Sequence, residues 1–191
     1  MLVLNYHRFN NREYHRMFEI GVLELDARVE LLDGRVFEIS PIGPFHGGAV
    51  SRLIHLFVTQ SNGRWLVWPQ NPVSLDDYSE PQPDLMLLKP AADDYTTGLP
   101  ASDDVFLLIE VSDSTLASDR EKKLPLYGRA GIREVWIVNL PDQTVEIYRD
   151  PHYQGYASTE VLRPGAQARP LAFPDVALEV ADLVRRGQPD S

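Results

Sequence analysis

The chain has 191 residues, 43% hydrophobic and 24% charged, which is ordinary for a soluble globular protein and most economically one domain. Its net charge of −10 counts against broad nucleic-acid affinity, and the absence of cysteine excludes disulfides and thiolate sites. No apolar run of 18 residues and no basic-then-apolar leader is present, so neither a membrane span nor a secretory signal is expected, and the cytoplasm is the default location.

Asn10 or Asn11 can cap a short helix running to about Ile20. Arg28 to Leu32 and Arg35 to Ile39 alternate around Asp33-Gly34, a strong signal for a two-residue hairpin. After the Pro41-Ile42-Gly43-Pro44 break, the spacing predicts a helix over His46 to Thr59, with Val50, Leu53, Ile54, Phe57 and Val58 on one side. Strands are expected at Trp65 to Trp68, around Val73 to Leu75 and at Asp84 to Leu88, followed by a surface loop over 89–104. Val105 to Ser112 is almost continuously apolar and therefore central. A helix is expected from about Asp119 to Ala130, stopped by Gly131. Val135 to Leu140 is a second buried strand, paired with Val145 to Arg149, and residues 158–162 add an edge. A last short element ends near Val184. Residues 1–185 form one mixed α/β domain around a strand–helix–strand unit, and 186–191 a frayed tail.

Two carboxylates interrupt this apolar pattern. Asp84 follows Pro83 at the head of Leu85-Met86-Leu87-Leu88, and Glu110 breaks Val105 to Val111. An uncompensated charge inside such a strand costs several kcal/mol, so a cation between the two is the economical reading. Acidity then no longer excludes a nuclease, because metal-holding carboxylates contribute to it. Arginine supplies 15 of the 18 basic residues, and the three lysines are Lys89, Lys122 and Lys123. A chain that uses arginine by default but sets two lysines together points to a need for an amine there.

The ordered set Pro83-Asp84, Glu110-Val111-Ser112, Asp119, Lys123, Tyr127, Gly131 and Val135-Trp136-Ile137-Val138 resembles the Uma-type restriction endonuclease family. That family is a branch of the PD-(D/E)XK nuclease superfamily. Glu30-Leu31-Leu32-Asp33-Gly34 and His46 fit its first hairpin and helix, and the resemblance spans roughly residues 10–185. It implies a restriction-endonuclease-like core, a mixed central β-sheet flanked by helices. The superfamily pattern has lysine two residues after the glutamate, where this chain has Ser112, so the resemblance implies that Lys123 on the following helix supplies the amine. Pro125 in that helix removes a backbone bond and bends it.

The activity implied is Mg²⁺-dependent hydrolysis of DNA phosphodiester bonds, with Mn²⁺ as a substitute. Asp84 and Glu110 would be metal ligands and the carbonyl of Val111 a third. Lys123 would orient or deprotonate the attacking water, and Glu30 would support the water network or a second metal. His46, Ser112 and Asp119 are candidates for substrate contact or support. Duller roles compete. Asp84 also suits a turn, Glu110 an arginine pair, Glu30 a solvated hairpin and His46 a helix cap. Lys123 stands four residues after Asp119, the spacing of an ordinary helix ion pair, and Tyr127 and Trp136 suit a core.

The five histidines show no zinc spacing, and neither a P-loop nor a nucleophile elbow is present. Three classes remain: an active metal nuclease, a nuclease-fold binding or assembly module, and a small-molecule metal-dependent enzyme. The Asp84, Glu110 and Lys123 set favours the first. A homodimer or higher homo-oligomer is expected, since cutting both strands of a duplex is simplest with two active sites.

Overall fold

The structure is a computed structural model that describes residues 6–41 and 43–185. Ile42, within the expected break, and the expected tail over 186–191 lie outside the described residues. Six strands form one sheet: β3 (Leu66–Pro69), β4 (Leu85–Leu88), β5 (Val105–Ser112), β6 (Glu134–Asn139), β7 (Thr144–His152) and β8 (Gly155–Leu162). They neighbour in chain order. β5 and β6 run parallel, and the other pairs run antiparallel. The parallel pair requires a crossover, which the helical segment between them provides. A mixed sheet flanked by helices is the architecture the sequence leads one to expect.

Strand alternation sorts β5 onto two faces. Leu107, Ile109 and Val111 pack with Leu53 and Phe57 of α2 (Pro44–Ser61) and Leu183 of α5 (Val180–Val184). Leu108 faces the opposite side with Val135, Ile137, Leu124 and Tyr127. Glu110 and Ser112 share that second face by parity, beneath the crossover.

The crossover has three parts: α3 (Leu116–Ser118), a π-turn (Asp119–Lys123) and α4 (Leu124–Arg129). Pro125 explains the break. It has no N–H to donate, and its ring displaces the carbonyl four residues back, so the wider turn takes up the mismatch. Gly131, at φ 81°, ends α4 as the sequence indicates. Gly128 presses α4 onto the sheet edge, because a Cβ there would lie 2.1 Å from the Gly155 carbonyl oxygen.

At the N-terminal end, Asn10 caps α1 (Asn11–Glu19) in a reciprocal pair with Glu13. β1 (Val29–Leu32) and β2 (Arg35–Glu38) form the hairpin, with Asp33 and Gly34 both at positive φ, the geometry that Asp-Gly favours. α2 is longer than expected at both ends, with Pro44 in its first turn and Asn62 left-handed at its close. The expected strand at Val73 to Leu75 is a correction. Only an isolated bridge from Ser74 to Ala101 forms, and the Val73 N–H bonds Pro81. Pro72, Pro81 and Pro83 deprive this stretch of ladder donors. The short β9 (Gln167–Ala168) and β10 (Leu178–Glu179) pair before α5. No described helix is long and apolar enough to cross a membrane.

Candidate active site

The register between β4 and β5 aligns Leu85 with Ile109, so one further step sets Asp84 opposite Glu110. β4 has ended at that step. The Val111 N–H therefore finds no strand partner there and donates to Asp84 Oδ2 at 2.8 Å. On a strand, the N–H and C=O of one residue point to the same edge, so the Val111 carbonyl opens on this side too. His46, in the first turns of α2, brings Nε2 to 3.0 Å from the same Asp84 oxygen. Both contacts fall on Oδ2.

Glu110 is 3% exposed. Its Oε1 accepts from the Tyr127 hydroxyl at 2.5 Å and lies 3.3 Å from Lys123 Nζ. Lys123 also reaches Glu30 Oε2 at 3.1 Å, and the Gln82 N–H donates to that Glu30 oxygen. Residue 123 thus points at the sheet, whereas Lys122 lies outside over the Phe37 ring. The ordinary helix pair between Asp119 and Lys123 does not form. The Asp119 carboxylate is taken by Ser112 Oγ at 2.7 Å and Thr115 Oγ1 at 2.8 Å. Ser112, two residues after Glu110, secures Asp119 at the base of the crossover.

A cavity of about 260 Å³ collects Glu30, His46, Asp84, Glu110, Asp119 and Lys123 along its wall. Burial pushes the Glu110 carboxyl well above its ordinary value, and Asp119 and Asp84 add to the rise against the pull of Lys123 and Tyr127. Burial works against the Lys123 ammonium, but Glu110, Glu30, Asp119 and Asp84 outweigh it and hold the proton more tightly. The hydrogen bond to Asp84 raises His46 against the effect of burial. Burial, with Glu110 and Glu30, raises the Tyr127 hydroxyl.

Four carboxylates therefore surround one lysine, a donor set with negative charge to spare. It fits a hard divalent cation, which accepts one or two carboxylates and keeps several waters. Among the described residues, no three acidic or histidine side chains form a ready-made cation cage. A cation here would rest on Asp84, Glu110 and backbone oxygen, with water completing its shell.

The sequence-expected residues Glu30, His46, Asp84, Glu110, Val111, Ser112, Asp119 and Lys123 all come to this end of the sheet. Tyr127 is core, as expected, but also binds Glu110, and its position four residues beyond Lys123 was the available signal. Thr115 and the Gln82 backbone gave no such signal, since each acts across a turn or between distant segments.

A nuclease-like fold is the first conclusion this architecture supports. The crystal structure of "a putative nuclease belonging to DUF820 from Anabaena variabilis ATCC 29413" matches with a TM-score of 0.69. That match covers 92% of this chain and 97% of the other, at 17% sequence identity. The sequence itself matches the Uma2 family, described as "Putative restriction endonuclease", over residues 12–181, and the chain belongs to that family. Its class is therefore that of the nucleases. No curated protein matches the chain.

Proposed function

We propose that the protein is a Mg²⁺-dependent endonuclease that hydrolyses DNA phosphodiester bonds, with Mn²⁺ able to substitute. The observation that carries this reading is the convergence of Asp84, Glu110 and Lys123, with Glu30, on one acidic cleft. Asp84 and Glu110 would hold the cation, with the Val111 carbonyl as a third ligand. A bound Mg²⁺ supplies Lewis acidity, which activates water and offsets charge growing on phosphate.

The protein's own groups do the positioning. His46 and the Val111 N–H engage Asp84 Oδ2, which leaves Oδ1 to the cavity. Tyr127 turns Glu110 by its Oε1. Lys123, kept as an ammonium between two glutamates, orients the attacking water and offers charge to the transition state. Glu30 sets the reach of that amine and supports the water network. The proposed location is the cytoplasm, and the proposed assembly a homodimer, which a sedimentation measurement would check.

The test is incubation of purified protein with plasmid, linear and single-stranded DNA in Mg²⁺, Mn²⁺ or EDTA. Metal-dependent cleavage that disappears in Glu110→Ala is expected. Cleavage that persists in EDTA would defeat the metal role. DNA binding without cleavage in either metal would favour a binding or assembly module.

A further inference from the structure

The cleft is acidic, yet the substrate proposed for it is a polyanion. Something beside the cleft must meet the phosphates. The face of the β1–β2 hairpin turned toward the crossover is suited to this. Cross-strand pairing puts Glu30 and Phe37 on one face, and alternation adds Arg35 and Ile39 to it. The Ile39 N–H bonds Arg28, and both residues line the cleft mouth. Lys122, on the π-turn, covers this face with Nζ 4.5 Å from the Phe37 ring centre. Arg35 lies 4.2 Å over the ring of Tyr6.

Arg35 and Lys122 differ from the other ring-stacked cations among the described residues. Arg8 and Arg64 also stack on rings, but each is neutralised by a carboxylate, Asp33 and Asp175 respectively. Arg28, Arg35 and Lys122 make no ion pair with any described residue. Glu38 also lines the cleft but stands outside ion-pair range of them. A ring beneath a cation holds its head in place by the π-face. It leaves the N–H donors unspent, whereas a carboxylate would consume them. Two pinned heads with free donors, continued by Arg28 into the cleft, describe a track for successive phosphates.

We propose that Arg28, Lys122 and Arg35 form a docking track along the hairpin for the phosphodiester backbone of a nucleic-acid strand entering the cleft. This rests on the nuclease reading but names a surface outside the catalytic cluster. The track consists of cations alone, so we assign its contact to phosphate and expect it to be independent of sequence.

The test measures binding of a fluorescein-labelled DNA single strand, the matching RNA and the DNA duplex in EDTA, across a salt series. The variant Arg28→Gln/Arg35→Gln/Lys122→Gln is compared with Lys89→Gln/Arg133→Gln/Arg163→Gln, which removes equal charge from exposed unpaired sites elsewhere. The track variant should weaken binding at least ~10-fold and flatten the slope of log affinity against log salt by about 2 for a single strand and about 3 for the duplex, as expected for three lost phosphate contacts. The control should stay within about twofold on both measures. Preference among the three probes identifies the strand type. Equal losses in both variants, or none in the track variant, would overturn the track. Wild type that binds none of the probes would overturn it as well. Metal-dependent cleavage by wild type alongside an unaffected track variant would sink the track alone, whereas no binding and no cleavage would defeat the nuclease reading too.

Discussion

Buried carboxylates occur at two places on this sheet, and their surroundings are opposite. Glu134 and Glu146, on β6 and β7, are fully provided with donors. Arg149, the Trp136 indole and the Leu171 N–H converge on Glu134. Arg120, Asn139 and Tyr148 converge on Glu146. Glu110 has one hydroxyl and shares one lysine with Glu30, with further carboxylates nearby. Burial acts on both Glu110 and Glu146, yet the carboxyl of Glu110 rises while hydrogen bonds bring that of Glu146 below its ordinary value. Burial of charge alone therefore does not mark function. Unbalanced burial does, because the missing compensation is what a cation or substrate can supply.

The sharpest break of this comparison is stability. Glu134→Ala leaves a void and removes the shared acceptor of Arg149, the Trp136 indole and the Leu171 N–H, a loss of about 3 kcal/mol, or roughly 10 °C in melting temperature. Glu110→Gln, by contrast, relieves repulsion and should leave the metal-free protein as stable as wild type or more so. Thermal melts in EDTA decide between the two. A large drop in Glu110→Gln would mean that the site is as balanced as its neighbours.

Lys123→Ala should lower DNA cleavage at least ~100-fold, the scale of a lost general acid–base or charge-stabilising group. Lys123→Arg should fail comparably, since a planar fork does not fit between Glu30 and Glu110 as a compact ammonium does. Both variants should still be stabilised by Mn²⁺. Retained cleavage in Lys123→Ala, measured on plasmid, would return the lysine to a structural role.

Metal provides the next contrast. At a hundredfold excess over Kd, a ligand specific to the folded state adds about 2.7 kcal/mol, which is roughly 5–10 °C here. Mg²⁺ or Mn²⁺ should give such a rise in wild type and none in Asp84→Ala or Glu110→Ala. His46→Ala should weaken the metal about 10-fold through the freed Asp84, as loss of a ligand's supporting hydrogen bond does. Melting curves across a metal titration read both effects. An increment unchanged in the two carboxylate variants would remove the metal from this cleft.

The smallest effect is on pH dependence. The folded carboxyl of Glu146 titrates below its ordinary value of 4.5. Its stabilising share is therefore present above that value and lost as pH falls through the lower folded one. Glu146→Gln should be less stable than wild type at neutral pH, with the gap closing under acid. A gap that widens toward low pH would show the opposite sign.

What could be read in advance follows from the range of each interaction. The Asp33-Gly34 hairpin and the Gly131 stop come from local chemistry, and sequence displays them. Asp84 and Glu110 are visible because each breaks an apolar run. Glu134 and Glu146 escape notice because Glu134 stands at a strand head and Glu146 alternates plausibly outward, while Arg149 and Arg120 reach them from other elements. The pairing of Glu30 with Lys123 depends on where the hairpin docks against the crossover. The bond from His46 to Asp84 spans 38 positions. The Val73 stretch looked like a strand by residue type, but its flanking prolines leave too few donors for a ladder.

The π-turn before Pro125 has a consequence for chain length. Such a turn absorbs one residue that regular winding would have placed about 100° further around the axis. Deleting a single residue between Asp119 and Lys123 should therefore restore ordinary winding without shifting Tyr127 or the Gly128 contact. Lys123 keeps its four-residue spacing to Tyr127 and still faces Glu110. Insertions and deletions, usually the most disruptive edits to a helix, become at this one place compatible with keeping the amine.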